Sequence, residues 1–249
     1  DVVISVTSGD TGEATVSASS LTFTAGNWDS AQTITVTGVD EDIIDGSINT
    51  TITLAVVDGS SDNNYDPLAN QTVTAATADN DSAGFTVTQS GGSTTVNESG
   101  TTDTFTVVLT AEPASDVVIS VTSGDTGEAT VSASSLTFTA GNWDSAQTIT
   151  VTGVDDDIID GSIDTTITLA VVDGSSDNNF DSLANQTVTA ATADNDSAGF
   201  TKSKSAVSVS ETGTTDTFTV VLNVQPASDV VISVTSGDTG EATVSAASL

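Results

Sequence analysis

DVVISVTSGDTGEATVSA occupies residues 1–18, returns unchanged at 116–133 and opens a third time at Asp229. The starts at 1, 116 and 229 lie 115 and 113 residues apart, and the two-residue difference falls between Phe200 and Thr214, where QSGGSTTVNESG shortens to KSAVSVSETG. Residues 1–85 and 116–200 differ only at Glu41/Asp156, Asn49/Asp164, Tyr65/Phe180 and Pro67/Ser182. A period of this length is a whole domain rather than one turn of a solenoid. The chain therefore divides into a partial repeat at 1–82 without its first strands, a complete repeat at 83–197, and a partial repeat at 198–249 without its later strands. Two expectations follow: a window on a longer tandem array, or a molecule whose C-terminal segment completes the next molecule's first repeat by strand addition.

Within one period the apolar residues alternate. Phe105, Val107 and Leu109 are interleaved with Thr104, Thr106 and Val108, and Val117, Ile119 and Val121 with Ser120 and Thr122. Leu136 and Phe138, Ile149 and Val151, Ile167 to Val171, then Val188 and Ala190 continue the series. Period-two alternation in short runs separated by Gly, Asp, Asn and Ser predicts about seven strands per repeat and no useful helix. The fold class is all-β, a tandem array of Ig-like Greek-key β-sandwich repeats of about 113–115 residues.

Composition excludes several functions. The chain of 249 residues carries 35 acidic and two basic residues, a formal net charge of −33. Phosphate binding needs Lys and Arg, so nucleic acid is not a partner, and an anionic membrane surface is equally unsuited. The two bases, Lys202 and Lys204, read as solvated on a strand face. No run approaches the roughly 20 apolar residues that cross a bilayer as a helix, so no membrane insertion is expected. Cys, Met and His are absent. Without Cys there is no disulfide framework or thiolate metal site, and without His the usual Ser-His and Cys-His machinery is missing. Near-identical carboxylate pairs in tandem copies do not suit a glycosidase, so the chain is not expected to be an enzyme. An acidic, cysteine-free β chain suits an extracellular or cell-surface protein of bacterial type, and a cytosolic halophile protein has a similar composition. No signal peptide is visible, so the sequence is expected to be a mature product or a window on a longer one.

The acids cluster where strands end. In the complete repeat they are Glu98 in VNESG, Asp125 in SGDTGEA, Asp155, Asp156, Asp157 and Asp160 in GVDDDIIDG, and Asp194 and Asp196 in ADND. The loops leaving alternate strands of a sandwich gather at one end, so much of this set is expected to converge. Carboxylates about 4 Å apart repel by roughly 1 kcal/mol per pair in water and more when desolvated. With so few bases, compensation must come from protons, mobile counter-ions or a metal. Oxygen ligands in irregular geometry suit Ca²⁺, whereas Zn²⁺ wants His or Cys. The alternative is a solvated acidic surface that serves solubility. The acidic stretch DGSSDNNFDSLANQ at 173–186 lacks the spacing and flanking helices of an EF-hand and reads as a long sandwich loop. Trp28 and Trp143, each in TAGNWDSAQ, read as packing or capping residues rather than sugar platforms.

VNESGTTDTFTVVL, then SGDTGEATVSASSLTFTAGNWDSAQTITVTGVDDDIIDG, then a last strand ending in ADND, together resemble a Calx-β domain, the calcium-binding sandwich of sodium–calcium exchangers, integrin β4 and giant bacterial surface proteins. The resemblance implies a ligand glutamate at Glu98 and, in the next copy, Glu211. It implies a mid-domain aspartate at Asp125, paired acids at Asp155 and Asp156, a later acid at Asp160, and a terminal run at Asp194 and Asp196 that Asn195 interrupts. In the earlier copy the matching acids are Asp10, Asp40, Glu41, Asp45, Asp79 and Asp81. By analogy with cadherin-like repeats, ions at the short junction ADNDSAGFT would clamp adjacent modules. The expected function is a structural extracellular repeat protein, a calcium-stiffened rod or filament such as an adhesin stalk or cell-surface fibre, whose partner is itself, end to end. The alternative is a ligand- or glycan-binding module that meets an unknown surface ligand.

Overall fold

A computed structural model describes residues 1–249. Its regular structure is all β, interrupted only by three short 3-10 turns. The first copy contributes β1 (Val2–Ser8), β2 (Ala14–Val16), β3 (Ser20–Phe23), β4 (Val36–Gly38), β5 (Ile48–Val56) and β6 (Gln71–Thr77). The second contributes β7 (Phe85–Gln89), β8 (Thr94–Asn97), β9 (Thr102–Leu109), β10 (Val117–Ser123), β11 (Ala129–Val131), β12 (Ser135–Phe138), β13 (Gln147–Gly153), β14 (Ile163–Val171) and β15 (Gln186–Ala193). The third contributes β16 (Phe200–Lys202) and β17 (Val220–Leu222).

The complete copy is a two-sheet sandwich. One sheet runs β12-β10-β14-β15-β8 and the other β11-β13-β9-β7. Their inner faces bury Phe105, Phe138, Ile149, Ile167 and Leu169, alternate residues of β9, β12, β13 and β14, as period-two patterning requires. Thr- and Ser-rich positions on the outer faces remain in water.

The sandwich has nine strands rather than seven. The extra strand at the front arises because the first strand breaks at Ser90–Gly92, where Gly91 and Gly92 take φ of 64° and 86°. Side chains other than Gly rarely adopt that backbone, and the break carries the chain from one sheet to the other. β7 pairs antiparallel with β9, whereas β8 crosses over and pairs parallel with β15. The second extra strand, β11, is a three-residue segment paired with β13.

The first copy shows what a strand loses without its neighbour. QTITVTG is strand over all seven residues at 147–153, flanked by β9 and β11. The same letters at 32–38 are strand only over Val36–Gly38, paired with β2 alone. β3-β1-β5-β6 nevertheless forms a sheet in the register of its counterpart. In the third copy only the β16–β17 ladder and the bridge Ser233–Ser248 are regular. Lys204, expected free in solvent, instead ion-pairs with Asp216.

Two junctions repeat the same contact. Asp42 O accepts from Glu112 N at 2.7 Å and Asp157 O accepts from Gln225 N at 2.7 Å. Ile43 bridges Glu112 in parallel, and Ile158 bridges Gln225 likewise. At the first junction Asn179 Nδ2 also donates to Ile44 O at 3.2 Å, and Ile44 packs against the core of the following sandwich. Successive copies are therefore joined by the acidic loop of one and the TAEPAS or NVQPAS turn of the next.

Gly153, the last residue of β13, packs directly against the end of β8. A Cβ there would lie 2.1 Å from Asn97 O, a backbone atom that cannot step aside. Gly153→Ala is expected to destabilise the complete sandwich by about 1–3 kcal/mol or more in urea unfolding. Gly174→Ala, where a Cβ meets nothing within 4 Å, is expected to change stability little.

Candidate metal centre

β8 ends at Asn97, and the next residue, Glu98, turns inward at the closed end of the sandwich, where only 1% of it is exposed. Asn195 N donates to Glu98 Oε2 at 2.9 Å, while Glu98 Oε1 is buried with no partner. Asp194 and Asp196 complete a triad with Glu98, one oxygen of each lying within 4.8 Å of the others. Asp194 is set by backbone donors: Asp196 N reaches its Oδ1 at 2.7 Å and Gly161 N its Oδ2 at 3.0 Å. These N–H groups hold the Asp194 carboxyl below the usual carboxylate range. Asp196 Oδ2 is a second buried oxygen without a partner.

A second triad lies beside the first. Glu128 immediately precedes β11 and is buried, and its oxygen meets Asp156 and Asp160 within 4.8 Å. Its Oε2 also has no partner. Burial, followed by the charges of Asp160, Asp156, Asp125 and Glu98, pushes the Glu128 carboxyl upward. At Glu98 the Asn195 N–H pulls the other way, but burial and the charges of Asp194, Asp156 and Asp160 outweigh it, so that carboxyl is raised too. Because acids of each triad act on the glutamate of the other, the two form one electrostatic unit.

The first copy holds the counterpart of the second triad. Glu13, Glu41 and Asp45 bring their oxygens within 4.8 Å, and burial followed by the Asp45 charge raises both Glu13 and Glu41. Asp79 repeats the role of Asp194, accepting from Gly46 N at 2.8 Å and Asp81 N at 2.7 Å. Asp81 is raised by burial and by Asp79.

The sequence-expected acids divide into three groups. Glu98, Asp156, Asp160, Asp194 and Asp196 enter the triads, as do Glu41 and Asp45. Asp155, Asp157, Asp125, Asp10, Asp40, Asp79 and Asp81 lie around them. Asn195 Nδ2 donates to Asp155 Oδ1, and Asn80 Nδ2 to Asp40 Oδ1. Asp125 and Asp10 instead accept from Gly127 N and Gly12 N, two residues on, as turn-closing caps. Asp157 lends its carbonyl to the junction and its charge to Asp196. Glu211 is exposed and stands apart from every acid cluster.

Sequence reading missed Glu13 and Glu128. It took the aspartate of SGDTGEA as the site acid, but that aspartate closes the turn and the glutamate three residues later reaches the cluster. No sequence signal separates the two, because a turn-closing cap and a metal ligand both call for an acid in a Gly-rich loop. In the 173–186 loop, Asp177 spends its oxygens on Ser115 N and Asn179 N, and Phe180 enters the core. Trp143 packs partly against the same core.

The donor set fits a hard cation. Three buried oxygens, on Glu98, Glu128 and Asp196, have no hydrogen-bond partner, each faces other carboxylates, and every candidate ligand is oxygen. An unpaired buried carboxylate oxygen is costly, and a cation of the Ca²⁺ type satisfies several such atoms at once.

No family model matches the chain, and no curated protein matches it. Distant likenesses exist among solved structures of β-sandwich domains. Domains 4 and 5 of the S-layer protein SbsC align over 76% of this chain and 70% of theirs, at 16% identity and a TM-score of 0.34. An apo-form Calx CBD1 domain aligns over 45% of this chain and 98% of its own, at 14% identity and a TM-score of 0.30. SSP-19, an MSP-domain-like protein of Caenorhabditis elegans, aligns over 43% of this chain and 97% of its own, at 15% identity and a TM-score of 0.29.

The raised carboxyls fix the sign of the pH response. A group whose folded pKa exceeds its unfolded value binds protons more tightly when folded, so it adds stability as pH falls through the carboxylate range. Glu98, Glu128 and Asp196 belong to this class, and Asp194 to the opposite one. Without divalent cation, lowering the pH from neutral towards 5 is expected to raise the melting temperature. In millimolar Ca²⁺ that gain should vanish or reverse, because protons then displace the ion.

Proposed function

We propose that this chain is part of a structural array of the bacterial cell surface, a rod of sandwiches stiffened by Ca²⁺. One observation carries the reading: the loop that supplies triad carboxylates is the loop that joins one sandwich to the next. In Asp155–Asp160, Asp156 and Asp160 turn to Glu128, while the carbonyl of Asp157 and the backbone of Ile158 pair with Gln225. In Asp40–Asp45, Glu41 and Asp45 turn to Glu13, while Asp42 and Ile43 pair with Glu112. An ion on either triad holds the loop, and the loop holds the angle between modules.

Glu98, Asp194 and Asp196 would hold one ion of the complete module, and Glu128, Asp156 and Asp160 another, with Asp155 and backbone carbonyls at hand. The ion supplies charge neutralisation; the protein supplies the junction that feels it. An outside location agrees with this chemistry, since calcium sites of extracellular modules work at about 10⁻⁴–10⁻³ M Ca²⁺. A glycan-binding reading gains less support, because Trp143 packs partly against the core, although its counterpart Trp28, expected to pack or cap, is 71% exposed.

Saturating Ca²⁺ at about 100 times its Kd is expected to add roughly 2.7 kcal/mol of stability per site. Glu128→Gln should weaken Ca²⁺ binding at least about tenfold by calorimetry, yet raise the melting temperature of the cation-free protein by removing one buried charge. Small-angle scattering should show a longer, narrower distribution of end-to-end distances in Ca²⁺ than in chelator. Equal scattering curves and an unshifted melting temperature would sink the proposal.

A further inference from the structure

We infer that the peptide bond between Asp66 and Pro67 is a self-cleavage site, cut by the carboxyl group of Asp66 itself. The inference does not depend on Ca²⁺; it rests on one buried carboxyl oxygen without a donor and on the residue that follows it.

Asp66 lies in the loop between β5 and β6, at the other end of these strands from the acidic loops. Its Oδ1 is buried and has no hydrogen-bond partner. Asp62 of the same loop is engaged instead, its Oδ1 accepting from Asn64 N at 2.9 Å and from Asn64 Nδ2 at 2.8 Å. Asp66 and Pro67 are the two central residues of a turn that Leu68 N closes by donating to Tyr65 O at 3.1 Å.

This geometry belongs to the repeat and not to one copy. In the complete sandwich Leu183 N donates to Phe180 O, also at 3.1 Å, around Asp181 and Ser182. Asp181 Oδ1 is likewise buried without a partner. The bond ahead of the turn, Tyr65 N to Asp62 O at 2.9 Å, recurs as Phe180 N to Asp177 O at 2.9 Å. The two turns thus hold their aspartate alike and differ in what comes after it, Pro67 in one and Ser182 in the other. The chain has three prolines, and only Pro67 follows an aspartate, since Pro113 follows Glu112 and Pro226 follows Gln225.

An aspartyl carboxyl is a recognised side-chain nucleophile. Its oxygen bonds to the carbonyl carbon of its own residue and closes a cyclic anhydride. The C–N bond to the next residue breaks, and the carboxyl proton passes to the departing nitrogen. Proline makes that departure easier, because its amide is tertiary and its nitrogen leaves as a basic secondary amine. Water then opens the anhydride and restores both carboxyls of Asp66. One water is consumed, and nothing is oxidised or reduced. Pro67 is exposed, so water has access to the bond. The fold contributes orientation: the turn fixes the carboxyl beside its own carbonyl, and Oδ1 breaks no hydrogen bond in order to react.

The position gives the cut a defined consequence. β5 and β6 stay paired from Ile48↔Thr77 to Leu54↔Gln71. A nicked copy therefore remains assembled, but its tension passes through that ladder instead of a covalent chain.

The test incubates the full chain in mildly acidic buffer with protease inhibitors, native and in urea, and follows intact mass. Fragments 1–66 and 67–249, summing to the parent plus one water, are expected to form on the order of tenfold faster in the native chain, the mark of orientation. Hydroxylamine in the buffer should capture the anhydride as a hydroxamate on the 1–66 fragment. Asp66→Ala and Pro67→Ser, the latter installing the residue of the second copy, should leave the chain whole. Ser182→Pro should add a second cut after Asp181. An intact chain, a cut at another bond, an equal rate in urea, or equal cleavage of Pro67→Ser overturns self-cleavage at this turn. Scission without hydroxamate overturns the anhydride route, and a folded Ser182→Pro chain cut after Asp66 alone overturns the role of the turn.

Discussion

The repulsion among carboxylates that the sandwich itself brings together governs this molecule. Glu98 and Glu128 are buried at one end of the complete sandwich, each with an oxygen that finds no donor, and each is ringed by aspartates. Nothing in the chain offsets this, since both lysines lie at 202 and 204 and one of them is committed to Asp216. At an effective dielectric near 20, a carboxylate pair about 4 Å apart costs on the order of 4 kcal/mol before relaxation. The sandwich sustains the arrangement because its hydrophobic layer and continuous ladders hold β8, β13 and β15 in place. Backbone N–H groups then lower the cost at Asp194 and Asp79, and the one from Asn195 opposes burial at Glu98 without outweighing it.

Much of this was legible in the letters. The repeat gave the module, and period-two alternation gave the layers, because residues such as Phe105, Ile149 and Ile167 can all be buried only if their strands face one another. The gathering of strand-end acids was legible for the same reason. The switch of β8 into the opposite sheet was not. It depends on two glycines at positive φ, and SGG in sequence reads simply as a turn. Nor was the role of Glu128, because an Asx-type turn and a metal ligand both call for an acid in a Gly-rich loop. Only the geometry separates Asp125, whose oxygen closes on Gly127 N, from Glu128, whose longer arm reaches the aspartates. The junction was hidden as well. Its bonds are made by the main chain of Asp157 and Asp42, and backbone pairing leaves little trace in side-chain identity.

The near-identity of the first two copies separates what sequence determines from what surroundings determine. QTITVTG is a seven-residue strand in one place and a three-residue strand in the other, and Val188 and Val73 belong to identical runs. Local propensity is the same by construction, so the difference lies in the neighbouring strand. β-propensity of this kind expresses fit to a half-buried pleated surface, and the surface must be present for it to act.

The four differences between those copies fall in places that sharpen the same point. Glu41 and Asp156 sit in the triads, where one methylene changes reach but not charge. Asn49 and Asp164 are the second residues of β5 and β14. Tyr65 with Pro67, against Phe180 with Ser182, lie in the loop whose ring closes the end of the sandwich. Phe180 is sealed among apolar residues, where a hydroxyl would be left without a partner. At the same position of the first copy the ring is 46% exposed, and there a tyrosine hydroxyl can stay in water. The substitution thus marks two environments for one ring position, one sealed among apolar side chains and the other open to solvent.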